Sequence, residues 1–108
     1  MTIGIYKLDF GISFYIGRSI NIERRYKHHL HLLKNNTHCN VKLQVCYNSV
    51  GIPKLEIIEI CDTELLAETE VYYITKYNAV VDGLNILIDD GFGGFGENNS
   101  RCKYTNNE

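Results

Sequence analysis

The four cysteines, Cys39, Cys46, Cys61 and Cys102, include no C-x-x-C pair, which argues against a zinc framework. The N-terminus lacks a basic stretch followed by an apolar run, the pattern of a secretory leader. Without secretion a disulfide framework is not expected. The thiols are expected to be reduced, mostly packed as small hydrophobes, in a cytoplasmic protein. No stretch is long and apolar enough to span a bilayer, so no membrane partner is expected. Internal repeats are also missing, and 108 residues fit one folded domain.

There is no overall excess of positive charge either: the formal net charge is −2. The charge is unevenly distributed, however. Residues 1–50 hold seven Lys/Arg against two acidic residues, a local +5, while the rest hold four against eleven, a local −7. All four histidines, His28, His29, His31 and His38, fall in the basic half. Such asymmetry suits a surface that faces a polyanion, and equally two solvated helices that differ in charge.

Residues 2–9 and 13–18 read as strands joined by a tight Phe10-Gly11-Ile12 connection, a hairpin. Ser19 and Asn21 are candidate N-caps for a helix in which Ile22, Tyr26, Leu30 and Leu33 form an apolar stripe. Asn35-Asn36-Thr37 ends that helix. A second, shorter helix runs over residues 40–51 and closes at Gly51. Pro53 precedes a strand over 54–61, and Asp62 or Thr63 caps a third helix over 64–78. Residues 83–88, "GLNILI", read as a last short strand. The order ββααβαβ predicts an α+β fold, a small, mainly antiparallel three-stranded sheet flanked by helices. Residues 1–90 form the folded unit, and the Gly- and Asn-rich 91–108 a linker or disordered tail.

Two features point toward chemistry. Glycine is a poor strand residue, yet each hairpin arm pairs one with a tyrosine on the same sheet face, Gly4 with Tyr6 and Tyr15 with Gly17. The missing side chains are expected to open a shallow cavity, making room for a backbone or phosphate beside the phenols. A bend with two packed tyrosines is the structural alternative. In the third helix Leu66, Glu70, Tyr73 and Tyr77 share a face, so Glu70 interrupts an apolar stripe. A buried carboxylate must pair, protonate or hold a metal, and a salt bridge to Arg25 is the structural alternative. Glu68 lies off the stripe and is expected in solvent. Arg25 and His29, four residues apart, share one face of the first helix, and Arg24, His28 and His31 another.

Taken in order, GIY at 4–6, YIG at 15–17, Arg25, Glu70 and Asn85 resemble the signature of the GIY-YIG nuclease superfamily. Within it, Arg25-x-x-x-His29, His38 and Lys42-Leu43-Gln44 resemble the catalytic domains of phage group I intron homing endonucleases. That resemblance implies a GIY-YIG nuclease fold and hydrolysis of DNA phosphodiesters with one divalent ion, Mg²⁺, for which Mn²⁺ substitutes. It implies Tyr6 as general base and Glu70 as metal ligand, a hard oxygen for a hard cation. Arg25 neutralises charge on the phosphate. Tyr15 hydrogen-bonds a phosphate oxygen or orients the water, and His29 relays a proton or steadies the phosphate. Gly4, Gly17, Arg18, Arg24, His38, Lys42 and Asn85 are the expected substrate-side residues, with Asn85 holding the cleft wall. DNA is the expected partner, with dimerisation on DNA or a targeting partner for duplex cutting, in the host cytoplasm if the chain is phage-encoded. Competing expectations are a structure-specific repair or recombination nuclease that needs a partner, and a non-catalytic DNA-binding module.

Overall fold

The computed structural model describes residues 1–86. The expected tail, residues 87–90 of the expected folded unit, and Cys102 lie outside the described residues. The hairpin forms as read: β1 (Gly4–Asp9) and β2 (Phe14–Ser19) pair antiparallel, with Tyr6 opposite Gly17 and Leu8 opposite Tyr15. Gly11, at φ +88°, takes the left-handed conformation that its missing Cβ permits, and its N–H donates to Asp9 at 2.8 Å. β3 (Lys54–Ile60) pairs antiparallel with the other edge of β1, so the sheet order is β2-β1-β3. Its register slips between Ile5 and Tyr6.

Three α-helices flank the sheet. α1 (Ile22–Lys34) is capped by Asn21, whose side chain accepts the Arg24 N–H at 3.1 Å. α2 (Val41–Val50) is capped by Asn40 and closes at Gly51. A 3-10 turn at Thr63–Leu65 leads into α3 (Leu66–Lys76). The strand alternation divides the core in two. On one face Tyr6, Leu8 and Tyr15 pack with Ile22, Leu33 and Leu43 of α1 and α2; on the other Ile5 and Ile16 pack with Leu66 and Ile74 of α3. Cys46 is buried, and Cys39 and Cys61 are half-buried. Among the described residues no helix is long and apolar enough to cross a membrane.

Three expected patterns are corrected. The buried face of α1 is Ile22, Arg25, His29 and Leu33, while Tyr26 and Leu30 are only half-buried. The helix is turned so that Arg25 and His29 are buried, and His29 meets both tyrosines of the hairpin. In α3 the buried residues are Leu66, Glu70 and Ile74; Tyr73 is half-buried and Tyr77 exposed. The Tyr73 hydroxyl instead donates to Glu59 at 2.6 Å, and that carboxylate pushes the phenol up to about 12. Residues 83–86 form no strand, and 87–88 lie outside the described residues. The segment still runs along the free edge of β2: Leu84 N–H donates to Phe14 O at 2.7 Å. Beyond that point the Asn85 side chain replaces the backbone, accepting from Ile16 N–H at 2.9 Å and donating to Ile16 O at 2.8 Å.

Candidate active site

The β1–β2 register explains the paired glycines. Tyr6 on the central strand faces Gly17 on its neighbour, and a Cβ at Gly17 would stand 2.5 Å from both Cζ and Oη of that phenol. The space is therefore filled by Tyr6 itself. A Cβ at Gly4 would stand 2.1 Å from the Glu59 carbonyl oxygen and 2.9 Å from Ile60 Cα. Gly4 thus admits the β3 backbone beside the register slip. Neither glycine leaves the cavity for a phosphate that the sequence suggested.

From this floor a chain of hydrogen bonds leads into the helices. Tyr6 Oη lies 2.7 Å from His29 Nε2, and His29 Nδ1 lies 2.8 Å from His38 Nε2. His38 Nδ1 accepts the Asn40 main-chain N–H at 3.0 Å. The His38 N–H in turn donates to the Gln44 side chain at 3.1 Å, and Gln44 Nε2 donates to Leu33 O at 3.0 Å. The Tyr15 ring stands edge-on to His29, with centroids 5.7 Å apart. His29 is completely buried, and burial, with the neighbouring His38, Arg25 and His28, holds its pKa well below the ordinary imidazole value. Burial, with His28 and Arg25, brings His38 down to about 4. Both imidazoles are neutral at pH 7. His38 is thus an internal support behind His29 rather than a surface contact for substrate.

Across the sheet, Glu70 on α3 is 2% exposed, and its Oε1 lies 3.5 Å from Arg18 Nη1 on β2. Arg18 is thus an ion-pair partner of this carboxylate. Arg18 follows Gly17 along β2, so successive side chains serve the two faces: position 17 receives the Tyr6 phenol, and position 18 reaches the carboxylate. Arg25 is itself buried. Glu68 is exposed, as expected, and Arg24 is exposed on α1.

Lys42, expected on the substrate side, and Asn85, expected to hold the cleft wall, both hydrogen-bond within the fold. Lys42 Nζ donates to Val80 O at 2.9 Å and to Asn85 O at 3.1 Å. Asn85 is 2% exposed and spends its amide on Ile16. Asn40 and Gln44, which sequence reasoning did not single out as site residues, are buried polar groups that join the histidine chain to α1 and to residue 84. In the sequence Asn40 is marked by the short His38-Cys39-Asn40 spacing that lets a main-chain amide turn back on an imidazole, and Gln44 by its place in the Lys42-Leu43-Gln44 motif.

Among the described residues no group of three or more His, Cys, Asp or Glu is placed to hold a metal ion. What the site offers is one buried carboxylate. That set suits a hard cation such as Mg²⁺, which keeps several waters and takes one or two carboxylates with substrate oxygens.

Fold and site together define a small α+β catalytic domain. The model of the GIY-YIG catalytic domain matches residues 6–85, and the chain belongs to that family. It is 31% identical over 98 residues to intron-associated endonuclease 1 of Enterobacteria phage T4, a match that covers 86% of this chain. The chain spans about 40% of that relative's length. Two solved structures of the catalytic domain of intron endonuclease I-TevI superpose with TM-scores of 0.75, for a mutant form, and 0.73, each at 28% identity. These matches cover 81% and 79% of this chain, and 95% and 98% of the respective domains.

Proposed function

We propose that this chain is a divalent-metal-dependent DNA endonuclease domain, in which Tyr6 is the general base and Glu70 the metal ligand. The supporting observation is the Tyr6 phenol, set 2.7 Å from a buried, neutral His29 within a chain of the GIY-YIG family. Its similarity to the phage T4 endonuclease supports DNA as the substrate.

In the hydrolysis, a water attacks the phosphorus while the ionised Tyr6 oxygen takes its proton; the P–O bond to the 3′ oxygen breaks, and that oxygen takes up a proton from water to leave a 3′ hydroxyl beside a 5′ phosphate. A free phenol has a pKa near 10, so about one in a thousand is ionised at neutral pH. Positive potential from Arg25, and hydrogen-bond donation to the phenol oxygen, favour the ionised form. Tyr6 is 1% exposed, so it acts on a water enclosed with the substrate rather than on bulk solvent. Tyr15, 8% exposed, is the more accessible of the two phenols, and in this reading it holds a phosphate oxygen or orients the water. Arg25 offsets charge growing on the phosphate. Glu70 would hold the divalent cation, which would supply Lewis acidity to the reaction. Exposed Arg24 supplies a phosphate contact from α1, so binding is salt-sensitive.

The test is incubation with supercoiled plasmid, with Mg²⁺ and with EDTA, beside Glu70→Ala. Metal-dependent nicking that the variant lacks is the expected result. DNA binding without cleavage under any divalent ion would instead identify a non-catalytic binding module.

A further inference from the structure

We infer that the main-chain amide of Asn40 sets the direction of the hydrogen-bond chain through His38 and His29, so that His29 Nε2–H donates to the Tyr6 oxygen. This makes His38 and His29 positioning residues for the base.

The polarity follows from one donor that cannot reverse. A backbone N–H only donates, and Asn40 N points at His38 Nδ1 from 3.0 Å. His38 Nδ1 therefore carries no proton, and the ring's proton sits on Nε2. That N–H faces His29 Nδ1 at 2.8 Å, so His29 Nδ1 is the acceptor. The His29 proton is left on Nε2, which faces Tyr6 Oη at 2.7 Å. The two imidazole planes differ by only 6°, with centroids 5.1 Å apart. The N–N distance plus one ring radius on each side accounts for that separation. The rings therefore meet edge to edge, where an in-plane lone pair receives an in-plane N–H.

Asn40 is well anchored for this part. Its Oδ1 accepts from Leu43 N–H at 3.1 Å as the cap of α2, and its Nδ2 donates to Leu84 O at 3.1 Å. The chain's origin is thus tied to a helix start and to the segment along β2. His38 is held from its own main chain by Gln44.

The consequence is specific. The phenol oxygen of Tyr6 receives a hydrogen bond from His29, which favours its ionised form. The Tyr6 hydroxyl proton points away from His29 and leaves by another route, because His29 in this tautomer has no lone pair facing the phenol. His29 is therefore a donor to the base and not the acceptor of its proton. The catalytic consequence rests on the nuclease reading, whereas the tautomers do not.

The experiment is long-range ¹H–¹⁵N correlation on labelled protein, which distinguishes protonated from unprotonated ring nitrogens. Both His29 and His38 are expected with Nε2 protonated and Nδ1 bare. A protonated His29 Nδ1 overturns the inference outright. In His38→Leu the His29 signal is expected to move toward a mixture of tautomers, and plasmid cleavage to fall roughly tenfold or more with KM little changed. His38→Gln, whose amide still offers an N–H, is expected to keep the His29 tautomer and to restore cleavage to within about threefold. A His38→Leu protein that keeps the His29 tautomer, or that cleaves at the unmodified rate, also overturns it. Should the unmodified protein show the expected tautomers but cut no DNA, the directed chain stands and the nuclease reading falls.

Discussion

Tyr6 and Gly17 are a matched pair: they face each other across the β1–β2 ladder, and the phenol lies where a side chain at 17 would be. Gly17→Ala puts a methyl 2.5 Å from Cζ and Oη of a ring that is 1% exposed. The ring must move, and overpacking of this kind costs about 1–3 kcal/mol. Cleavage is expected to fall further than stability, because the displaced atom is the proposed base. Gly4→Ala is expected to lose more stability, at least about 3 kcal/mol, since its methyl meets β3 backbone rather than a side chain. Urea denaturation of both variants checks this order. A Gly17→Ala protein as stable and active as its parent would show that Tyr6 has room to retreat.

Tyr6→Phe removes one oxygen from the floor of the site. The His29 nitrogen 2.7 Å away then loses its partner in a fully buried place. A buried polar group left without a hydrogen bond costs about 1–3 kcal/mol, so the variant is expected to fold with reduced stability. Loss of a general base typically lowers rate by about 10²–10⁴, and that drop is expected in plasmid cleavage at saturating DNA. A folded Tyr6→Phe protein that cuts at the parent rate would make Tyr6 a core residue and nothing more.

What could be read from the chain is what neighbouring residues settle. The hairpin, the Asn21 and Asn40 caps and the Gly51 stop depend on contacts a few residues apart. The stripe on α1 differs because hydrophobic periodicity assigns burial to apolar side chains, whereas Arg25 and His29 take those positions. On α3 Glu70 is buried as the sequence suggests, and Ile74 rather than Tyr73 and Tyr77 completes the buried face. Arg18 and Glu70 are 52 residues apart, and spacing alone did not single out their pairing. The strand expected over 83–88 fails for a similar reason: over the described residues the edge of β2 is met by the Asn85 side chain, which mimics a backbone. Of the occupants the sequence allowed beside the glycines, Gly4 meets a backbone, that of β3, and Gly17 the packed Tyr6 ring, which only the strand register shows.

Glu70→Gln keeps the shape of the side chain and removes its charge. Arg18 is about 30% exposed and turns toward solvent when its partner is neutral. The stability change is therefore expected to stay within about 1 kcal/mol, unlike the loss from stranding a fully buried charge. Cleavage is expected to disappear. A ligand that binds only the folded state raises the melting temperature, by about 2.7 kcal/mol of added stability at a hundredfold excess over Kd. Mn²⁺ is therefore expected to raise Tm in the parent and not in Glu70→Gln. Equal Mn²⁺ stabilisation of both proteins would move the cation away from Glu70.

The histidine pair also makes stability depend on pH. Unfolded, each imidazole takes up a proton near 6.5; folded, His38 does so only at about 4, and His29 is held low as well. Between these values the unfolded chain binds more protons, so stability rises with pH through the window and is lost as pH falls. At 1.36 kcal/mol per pH unit, His38 alone contributes about 3 kcal/mol, fully present above pH 6.5 and gone below about 4. His29 adds to the loss in the same direction. The first cause in each case is burial, with Arg25 and His28 adding repulsion, so salt is expected to soften the dependence only slightly. Urea denaturation at pH 7 and pH 4.5 is expected to show most of this loss. His38→Leu is expected to flatten the slope, leaving the part due to His29. A parent protein equally stable at both pH values would mean that the two imidazoles accept protons without disturbing the fold. A chain of neutral rings aimed at Tyr6 could not then be what holds α1 against the hairpin.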